Sequence, residues 1–180
     1  MSNPTSITWN IDAAHTHVEF AVKHMMFSTV KGSFADVKGT ITEHTTDKSL
    51  SSVQAEVSVS SIGTGDEKRD GHLRSADFFD AETYPTISFK STKVEHAGSD
   101  HYKVYGDLSM HGVTKEVVFN AEFTGTGKNP WGATVMGLTA ETKINRKDFN
   151  LNWNATLETG GVLVGEEVKL TLDVEATAAA

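Results

Sequence analysis

Two histidines separated by a single residue are the first candidates for chemistry in this chain. His15 and His17 open a segment of alternating polarity, where a spacing of two places both rings on one face of a strand. Neutral imidazoles bind zinc, copper or iron, so the pair allows a metal-dependent enzyme if His72 or His111 supplies a third ligand. The alternative is that both rings form hydrogen bonds with backbone or carboxylates near a strand end.

A second candidate is the segment 69–89, with the sequence RDGHLRSADFFDAETYPTISF. Arg69, His72 and Arg74 offer donors that suit an anionic or carbonyl head group. Three acids between positions 77 and 82 compete for the same donors. The segment therefore predicts either a ligand head-group site or a set of salt bridges within a loop.

Motifs of other reaction types are missing from the sequence. The chain has no cysteine, which excludes disulfides, thiol catalysis and cysteine-based zinc sites. No G-x-S-x-G motif is present, and residues 63–66 lack both the G-x-G-x-x-G pattern and the lysine of a phosphate-binding loop. The paired acids Glu166 and Glu167 precede an apolar strand, which favours solvation or ion pairing. We therefore expect no catalytic set, no metal and no cofactor.

The elements that must position these residues are mainly strands. Alternation of apolar and polar residues, typical of strands with one buried face, is clearest at 18–22, 53–59, 117–123 and 168–174. Weaker patterns predict strands that cover 30–42, 86–95, 101–109 and 132–146. About eight strands with short connections indicate a sandwich or a barrel, and an eight-stranded antiparallel barrel can enclose one small ligand.

Only two short helical segments are predicted, and no linker divides the chain. One covers 24–28, and the other covers 75–79 with Ser75 as its N-cap. We expect a single domain over residues 1–180, with an ordered core at about 7–176 and a frayed C-terminal tail, because five small residues end the chain.

Charge and hydropathy limit the partners and the compartment. The net charge of −8, without a run of lysine or arginine, disfavours nucleic acid and anionic membrane surfaces. The N-terminal residues lack the basic and apolar regions of a secretion signal, and no apolar run reaches the length of a membrane span. These features predict a cytoplasmic protein.

Large apolar side chains are concentrated near turns and predicted helices. Residues 25–27 (Met-Met-Phe) and Phe78-Phe79 are contiguous, and Trp131, Phe149 and Trp153 flank turns. Such residues can close the mouth of a barrel over an apolar ligand, and methionine adapts well to a flexible one. Periodicity alone leaves open the alternative of a filled core without a cavity.

Four blocks of sequence carry a family resemblance. They run from Trp9-x-Ile11-Asp12-x-x-His15 to Gly32-x-Phe34, through 69–89, through 108–117, and through 144–149 with 163–168. In this order they resemble the YceI-like family of lipocalin-like, polyisoprenoid-binding proteins. Two departures are a threonine at position 16, where many relatives have serine, and the lack of the export signal of periplasmic relatives.

The resemblance implies an all-β, eight-stranded antiparallel lipocalin-like barrel with one or two short helices at its mouth. It also implies a homodimer and an apolar tunnel for a polyprenyl pyrophosphate, an isoprenoid quinone or a fatty-acid derivative. On this basis the protein is expected to be a non-enzymatic lipid carrier, with a metal-dependent enzyme, a fatty-acid or amide-binding protein and a fully packed dimer as alternatives.

The expected ligand-binding residues fall into two groups. The apolar group, assigned to the tunnel and its mouth, contains Phe20, Val22, Met25, Phe34, Leu73, Phe78, Phe89, Phe119 and Trp153. The expected head-group residues are Arg69, His72 and Arg74, followed by His15 and His17. Leu73, Phe78 and Phe79 are the expected gate.

Overall fold

A computed structural model describes residues 3–180 of the chain and contains eleven antiparallel strands and one α-helix. The strands are β1 (Ser6–Ile11), β2 (His17–His24), β3 (Ser28–Phe34), β4 (Val37–His44), β5 (Ser52–Ser58), β6 (Ile62–Gly63), β7 (Thr86–His96), β8 (His101–Met110), β9 (Val113–Lys128), β10 (Thr134–Asn145) and β11 (Val164–Ala178). The helix α1 spans Glu67–Arg74, and four 3-10 turns span Ala13–His15, Lys48–Leu50, Val59–Ser61 and Arg146–Phe149.

The strands close into an eight-stranded antiparallel barrel, as predicted. The hydrogen-bonded order is β1-β4-β5-β7-β8-β9-β10-β11, and pairing of β11 with β1 completes the ring. Three of the ring strands continue after short breaks in the chain: β1 continues as β2, β4 is preceded by β3, and β5 continues as β6. The continuations pair in the same way, since β2 pairs with β11 and with β3, and β3 pairs with β6. Complete pairing leaves the main ring without a free edge.

The long strand β11 distinguishes the two ends of the barrel. Its first residues pair with β2 (Val164 with His24), whereas its last residues pair with β1 (Ala178 with Trp9). We call the end with the β2–β3 turn, α1 and the 146–163 loop the mouth end. The opposite end, with the β4–β5 and β9–β10 connections, is the packed end.

Apolar side chains fill the barrel at the packed end. The buried residues of this cluster are Trp9, Ile41, Met136 and Ala176. The indole Nε1 of Trp9 donates to Glu43 Oε2 at 2.8 Å, so the largest side chain of the cluster keeps a partner for its polar atom. The second core cluster, around Phe149 and Val59, lies toward the mouth end.

Both predicted helices are wrong in position. Residues 25–27 form a tight turn in which Met25 and Met26 have positive φ. The α-helix lies one segment earlier than the predicted 75–79, because Asp66 Oδ1 caps it by accepting from Arg69 N at 3.0 Å, and Ser75 is its C-cap. The helix EKRDGHLR has almost no apolar residue besides Leu73, so it carries no helical period to detect.

Two further predictions need correction, one on the segment 30–42 and one on the C-terminal tail. The segment 30–42 is two strands, β3 and β4, separated at residues 35–36. The tail expected to fray from residue 176 belongs instead to β11, where Ala176 is 1% exposed because it packs in the core of the packed end. Within residues 3–180, none of the helices has both the length and the apolar character needed to cross a membrane.

Candidate functional site

A cavity of about 300 Å³ lies in the half of the barrel nearest the mouth end. Its wall is formed by strands β2–β5 and β7–β11, by α1 with the turn that follows it, and by the 146–164 segment. Most of its lining is apolar, and the aliphatic part includes Val18, Val22, Val30, Leu73, Ile87, Leu108, Ile144, Val168, Leu170 and Leu172. The core is therefore not filled along its whole length.

The same alternation along a strand runs from the cavity wall into the packed core. Along β11, the inward side chains Val168, Leu170 and Leu172 line the cavity, and the inward positions that follow, Val174 and Ala176, are buried near the packed end. Successive residues of a strand point to opposite faces, so alternate positions of β11 line the interior continuously.

A glycine makes room for an aromatic ring in the cavity wall. Phe20 of β2 pairs with Gly32 of β3, and a Cβ at position 32 would lie 2.3 Å from the Phe20 ring and 2.9 Å from Thr64. The ring also packs on Phe34, with centroids 5.7 Å apart. Gly32 therefore allows Phe20 to lie against the wall.

Three rings form a cluster where the cavity meets the mouth end. His72, on α1, lies edge-on to Trp153 with centroids 4.7 Å apart and edge-on to Phe78 at 5.1 Å. Phe78 and Trp153 are 5.3 Å apart. His72 Nε2 also pairs with Asp77 Oδ2 at 2.8 Å, which holds the histidine between helix and turn.

Hydrogen bonds attach α1 to Thr64, the residue that follows β6. Arg69 Nε donates to Thr64 Oγ1 at 2.7 Å and Arg69 Nη2 donates to the Thr64 carbonyl at 2.9 Å. The buried carboxylate of Asp70 accepts from both the backbone N–H and the hydroxyl of Thr64. Arg69 lines the cavity, and among residues 3–180 no carboxylate forms a salt bridge with its guanidinium.

Arg146 is a cavity-lining cation that was not predicted as a site residue. It is 4% exposed, and its guanidinium donates to the carbonyls of Gly165 (2.8 Å), Trp153 (2.9 Å), Val164 and Leu151. Burial lowers the pKa of Arg146, opposed by the nearby charge of Glu166. The arginine therefore ties the loop after β10 to the start of β11.

The polar part of the lining is mostly basic. Its basic members are Lys23, His24, Arg69, His72 and Arg146, of which Lys23 is exposed and donates from Nζ to Thr29 Oγ1. Glu56 is the acidic side chain in this lining, and its Oε1 accepts from Lys38 Nζ at 2.9 Å. In a chain of net charge −8, the basic groups of Arg69 and His72 on α1 favour a ligand with a negative head group.

The structure brings ten of the twelve predicted ligand-binding residues together. These cavity-lining residues are Phe20, Val22, Phe34, Arg69, His72, Leu73, Phe78, Phe89, Phe119 and Trp153. Met25 and Arg74 lie outside the lining: Met25 is 40% exposed in the β2–β3 turn, and Arg74 Nε donates to the Ser60 carbonyl at 3.3 Å. The alternation along β11 signalled Leu170 and Leu172, whereas the family block 144–149 contains Arg146 but gave no indication that it lines the cavity.

His15 and His17 do not form one ligand group. Within the described part of the chain, His15 lies with Asp12 and Glu175, whose ligand atoms are all within 4.8 Å of one another, and His17 is not a member. His15 Nδ1 is 2.8 Å from Asp12 Oδ2, and this hydrogen bond, with the charges of Asp12 and Glu175, raises the pKa of His15. His72 lines the cavity instead, and His111 pairs with the Phe149 carbonyl.

These features define a class of protein, a closed antiparallel barrel with an internal apolar cavity and a short helix at one end. The sequence profile of the YceI-like domain matches residues 9–176, and the chain belongs to this family. A UPF0312 protein of Staphylococcus aureus (strain MSSA476) is 39% identical over 168 residues, which cover 93% of this chain and 95% of the relative.

Solved structures have the same fold. The YceI protein of Campylobacter jejuni is 30% identical, with a TM-score of 0.74 over 88% of this chain and 90% of that one. BcnA of Burkholderia cenocepacia has a TM-score of 0.82 at 24% identity, over 93% and 99% of the two chains. A polyisoprenoid binding domain from Saccharophagus degradans has a TM-score of 0.70 at 16% identity, over 95% and 98%.

Proposed function

We propose that this protein binds a long-chain amphiphilic lipid of the isoprenoid type and carries or sequesters it, without catalysing a reaction. The observation that carries the proposal is the apolar cavity whose few polar lining groups are mainly basic. Apolar surface removed from water contributes about 0.8 kcal/mol per CH₂ group, so the tail supplies most of the affinity. The similarity to a polyisoprenoid binding domain of another organism supports this ligand class.

The volume of the cavity limits how much of the tail is enclosed. A cavity of about 300 Å³ corresponds to about ten water molecules in the liquid, and thus to about ten carbon atoms of a chain. A polyprenyl tail is several times longer. The rest of the tail must therefore extend through the mouth, or the helix segment must move to widen the cavity.

The head group is expected at the basic part of the lining. Arg69 and His72 are the leading candidates because both line the cavity and lie on α1. A pyrophosphate suits these donors, and so does a fatty carboxylate, which keeps a fatty-acid derivative as the alternative ligand. Arg74, the third predicted head-group residue, would need the helix to shift, since its side chain is outside the lining.

Native mass spectrometry of protein purified without detergent tests the proposal. We expect a bound mass that solvent extraction releases and that identifies the lipid, or displacement of a lipophilic dye by an added polyprenyl phosphate. A homogeneous ligand-free mass together with no dye binding would refute the carrier function. The homodimer that the family resemblance implies stays a prediction, and sedimentation velocity measures it.

Leu73→Glu tests whether the helix closes the cavity. Leu73 lies on α1 and lines the cavity, so a carboxylate there would be desolvated by a bound tail. We expect lipid loading to fall about tenfold or more while the circular dichroism spectrum of the barrel is preserved. Leu50→Glu is the matched control, because Leu50 is 65% exposed at the packed end and loading should not change. Unchanged loading in Leu73→Glu would contradict the role of the helix.

A further inference from the structure

The mouth end carries a small exposed apolar surface, which we call the apolar tip. It consists of Met25, Met26, Phe27 and Val162, of which Phe27 is 82% and Met26 62% exposed. The residues come from two loops that touch: Met25 N donates to the Leu163 carbonyl at 2.8 Å, and the sulfur of Met26 lies over Gly161. The tip is therefore a joint feature of the β2–β3 turn and the 155–163 loop.

Fold stability does not explain the residues of the tip. Met25 and Met26 have φ angles of 52° and 68°, a left-handed conformation in which asparagine and glycine are the usual residues. Two methionines there keep a strained backbone and expose apolar side chains to solvent. A strained backbone and exposed apolar side chains are both unfavourable, and their combination is better explained by a contact that the tip makes with another molecule or a membrane.

The tip continues directly into the cavity wall. His24 and Leu163, the sequence neighbours of Met25 and Val162, both line the cavity. A ligand that leaves or enters at the mouth end therefore passes beside the apolar tip.

Charge around the tip matches the head-group layer of a membrane. The hairpin from Phe20 to Phe34 contains Lys23 and Lys31 and no acidic residue, and the 155–163 loop contains Glu158 and no basic residue. The two loops together carry a formal charge of +1, although the whole chain has a net charge of −8. Apolar side chains flanked by lysines are typical of segments that insert into a bilayer interface, where the ammonium groups reach the phosphates. The local charge is thus opposite to the one that disfavours membranes for the molecule as a whole.

The size of the tip favours a membrane over a second copy of the chain as its partner. Its four side chains expose roughly 400 Å², about half of the area that each partner of a typical stable complex buries. A bilayer makes no such demand, since a few protruding side chains are enough for reversible binding at its interface. We propose that the apolar tip docks the mouth of the barrel onto a phospholipid bilayer. The inference rests on the proposed lipid-binding function for its purpose, but the docking is measured separately.

Vesicle binding tests the docking surface. The variant Met26→Asn/Phe27→Ser removes the apolar side chains and places asparagine where a positive φ suits it. We expect co-sedimentation with vesicles of equal parts phosphatidylcholine and phosphatidylglycerol to fall about tenfold or more relative to the unmodified protein. Trp131→Ser is the matched control, because Trp131 is 86% exposed at the packed end and its loss should leave vesicle binding unchanged.

Three results would overturn the proposal: unchanged vesicle binding in the tip variant, an equal loss in Trp131→Ser, or a tip variant that turns a dimer into a monomer in sedimentation velocity. The last result would make the tip an interface between copies of this chain. Loading with a water-soluble fluorescent fatty acid serves as the separate readout and should be equal in all variants. If neither the unmodified protein nor any variant takes up the fatty acid while vesicle binding is intact, the lipid-binding function is refuted and the docking surface is retained.

Discussion

At the scale of single residues, Arg146 shows how a cation is accommodated beside an apolar cavity. Its guanidinium bonds to four backbone carbonyls and forms no salt bridge within residues 3–180. Carbonyl dipoles replace the water that burial removes, and the arginine in turn satisfies acceptors of the loop at Leu151 and Trp153 and of the first residues of β11. The residue is better understood as a support of the mouth end than as a direct ligand of the head group.

Arg146→Met should lower the free energy of unfolding by about 3 kcal/mol or more, because the buried carbonyl of Leu151 and the partly buried carbonyls of Trp153 and Gly165 lose this donor. Urea denaturation measures the change. Arg74→Met is the matched control: Arg74 makes a single bond of 3.3 Å to the Ser60 carbonyl, so its loss should cost no more than about 0.5 kcal/mol. Equal effects of the two substitutions would contradict a supporting role for Arg146.

At the scale of elements, β3 and α1 are coupled through Thr64. Gly32 of β3 leaves space for Phe20 and lies close to the methyl group of Thr64, and Thr64 is bonded to both Arg69 and Asp70. A change in the wall at Gly32 would therefore reach the helix at the mouth. The glycine is needed for close packing and not for its φ angle, because the Phe20 ring occupies the space that a Cβ at position 32 would need.

Gly32→Ala should lower lipid loading severalfold, because the Phe20 ring must move away from the wall into the cavity or displace Thr64. Dye displacement and native mass spectrometry measure the loading. Gly63→Ala on the neighbouring strand is the control, since a Cβ there meets no atom within 4 Å and loading should not change. If Gly32→Ala binds lipid as well as the unmodified protein, Phe20 does not limit the cavity.

At the scale of the whole molecule, the barrel divides into a packed half that stabilises the fold and a hollow half that holds the candidate site. Ile41 is buried in the cluster around Trp9, whereas Leu170 faces the cavity. Truncation of a side chain that faces the cavity removes fewer packing contacts than truncation of a side chain in the packed half. The two halves should therefore respond differently to the same kind of truncation.

Ile41→Ala should cost about 2–4 kcal/mol in the free energy of unfolding and leave the loading capacity unchanged. Leu170→Ala should cost less, about 1–2 kcal/mol, while it enlarges the cavity and alters the chain length of the preferred ligand. Urea denaturation and native mass spectrometry with lipids of graded length measure the two effects. Equal destabilisation by both variants would contradict the division of the barrel.

The sequence by itself determined the class of fold and most of the inward residues. Strict alternation at Phe20, Val22 and Phe119 identified one face of each strand, because a period of two permits only two faces and only the apolar one can be buried. The helix α1 was not found, since its stability comes from the Asp66 cap and from bonds to Thr64, and its sequence has no apolar period.

Only the tertiary structure decided where the interior is full and where it is empty. Val174 and Leu172 follow the same pattern in sequence, yet the first is packed and the second lines the cavity. The difference depends on which side chains meet across the barrel, which alternation along one strand does not encode. Likewise, the role of Arg146 and the joining of Met25 to Leu163 arise from contacts between segments distant in the chain, and so required the closed fold.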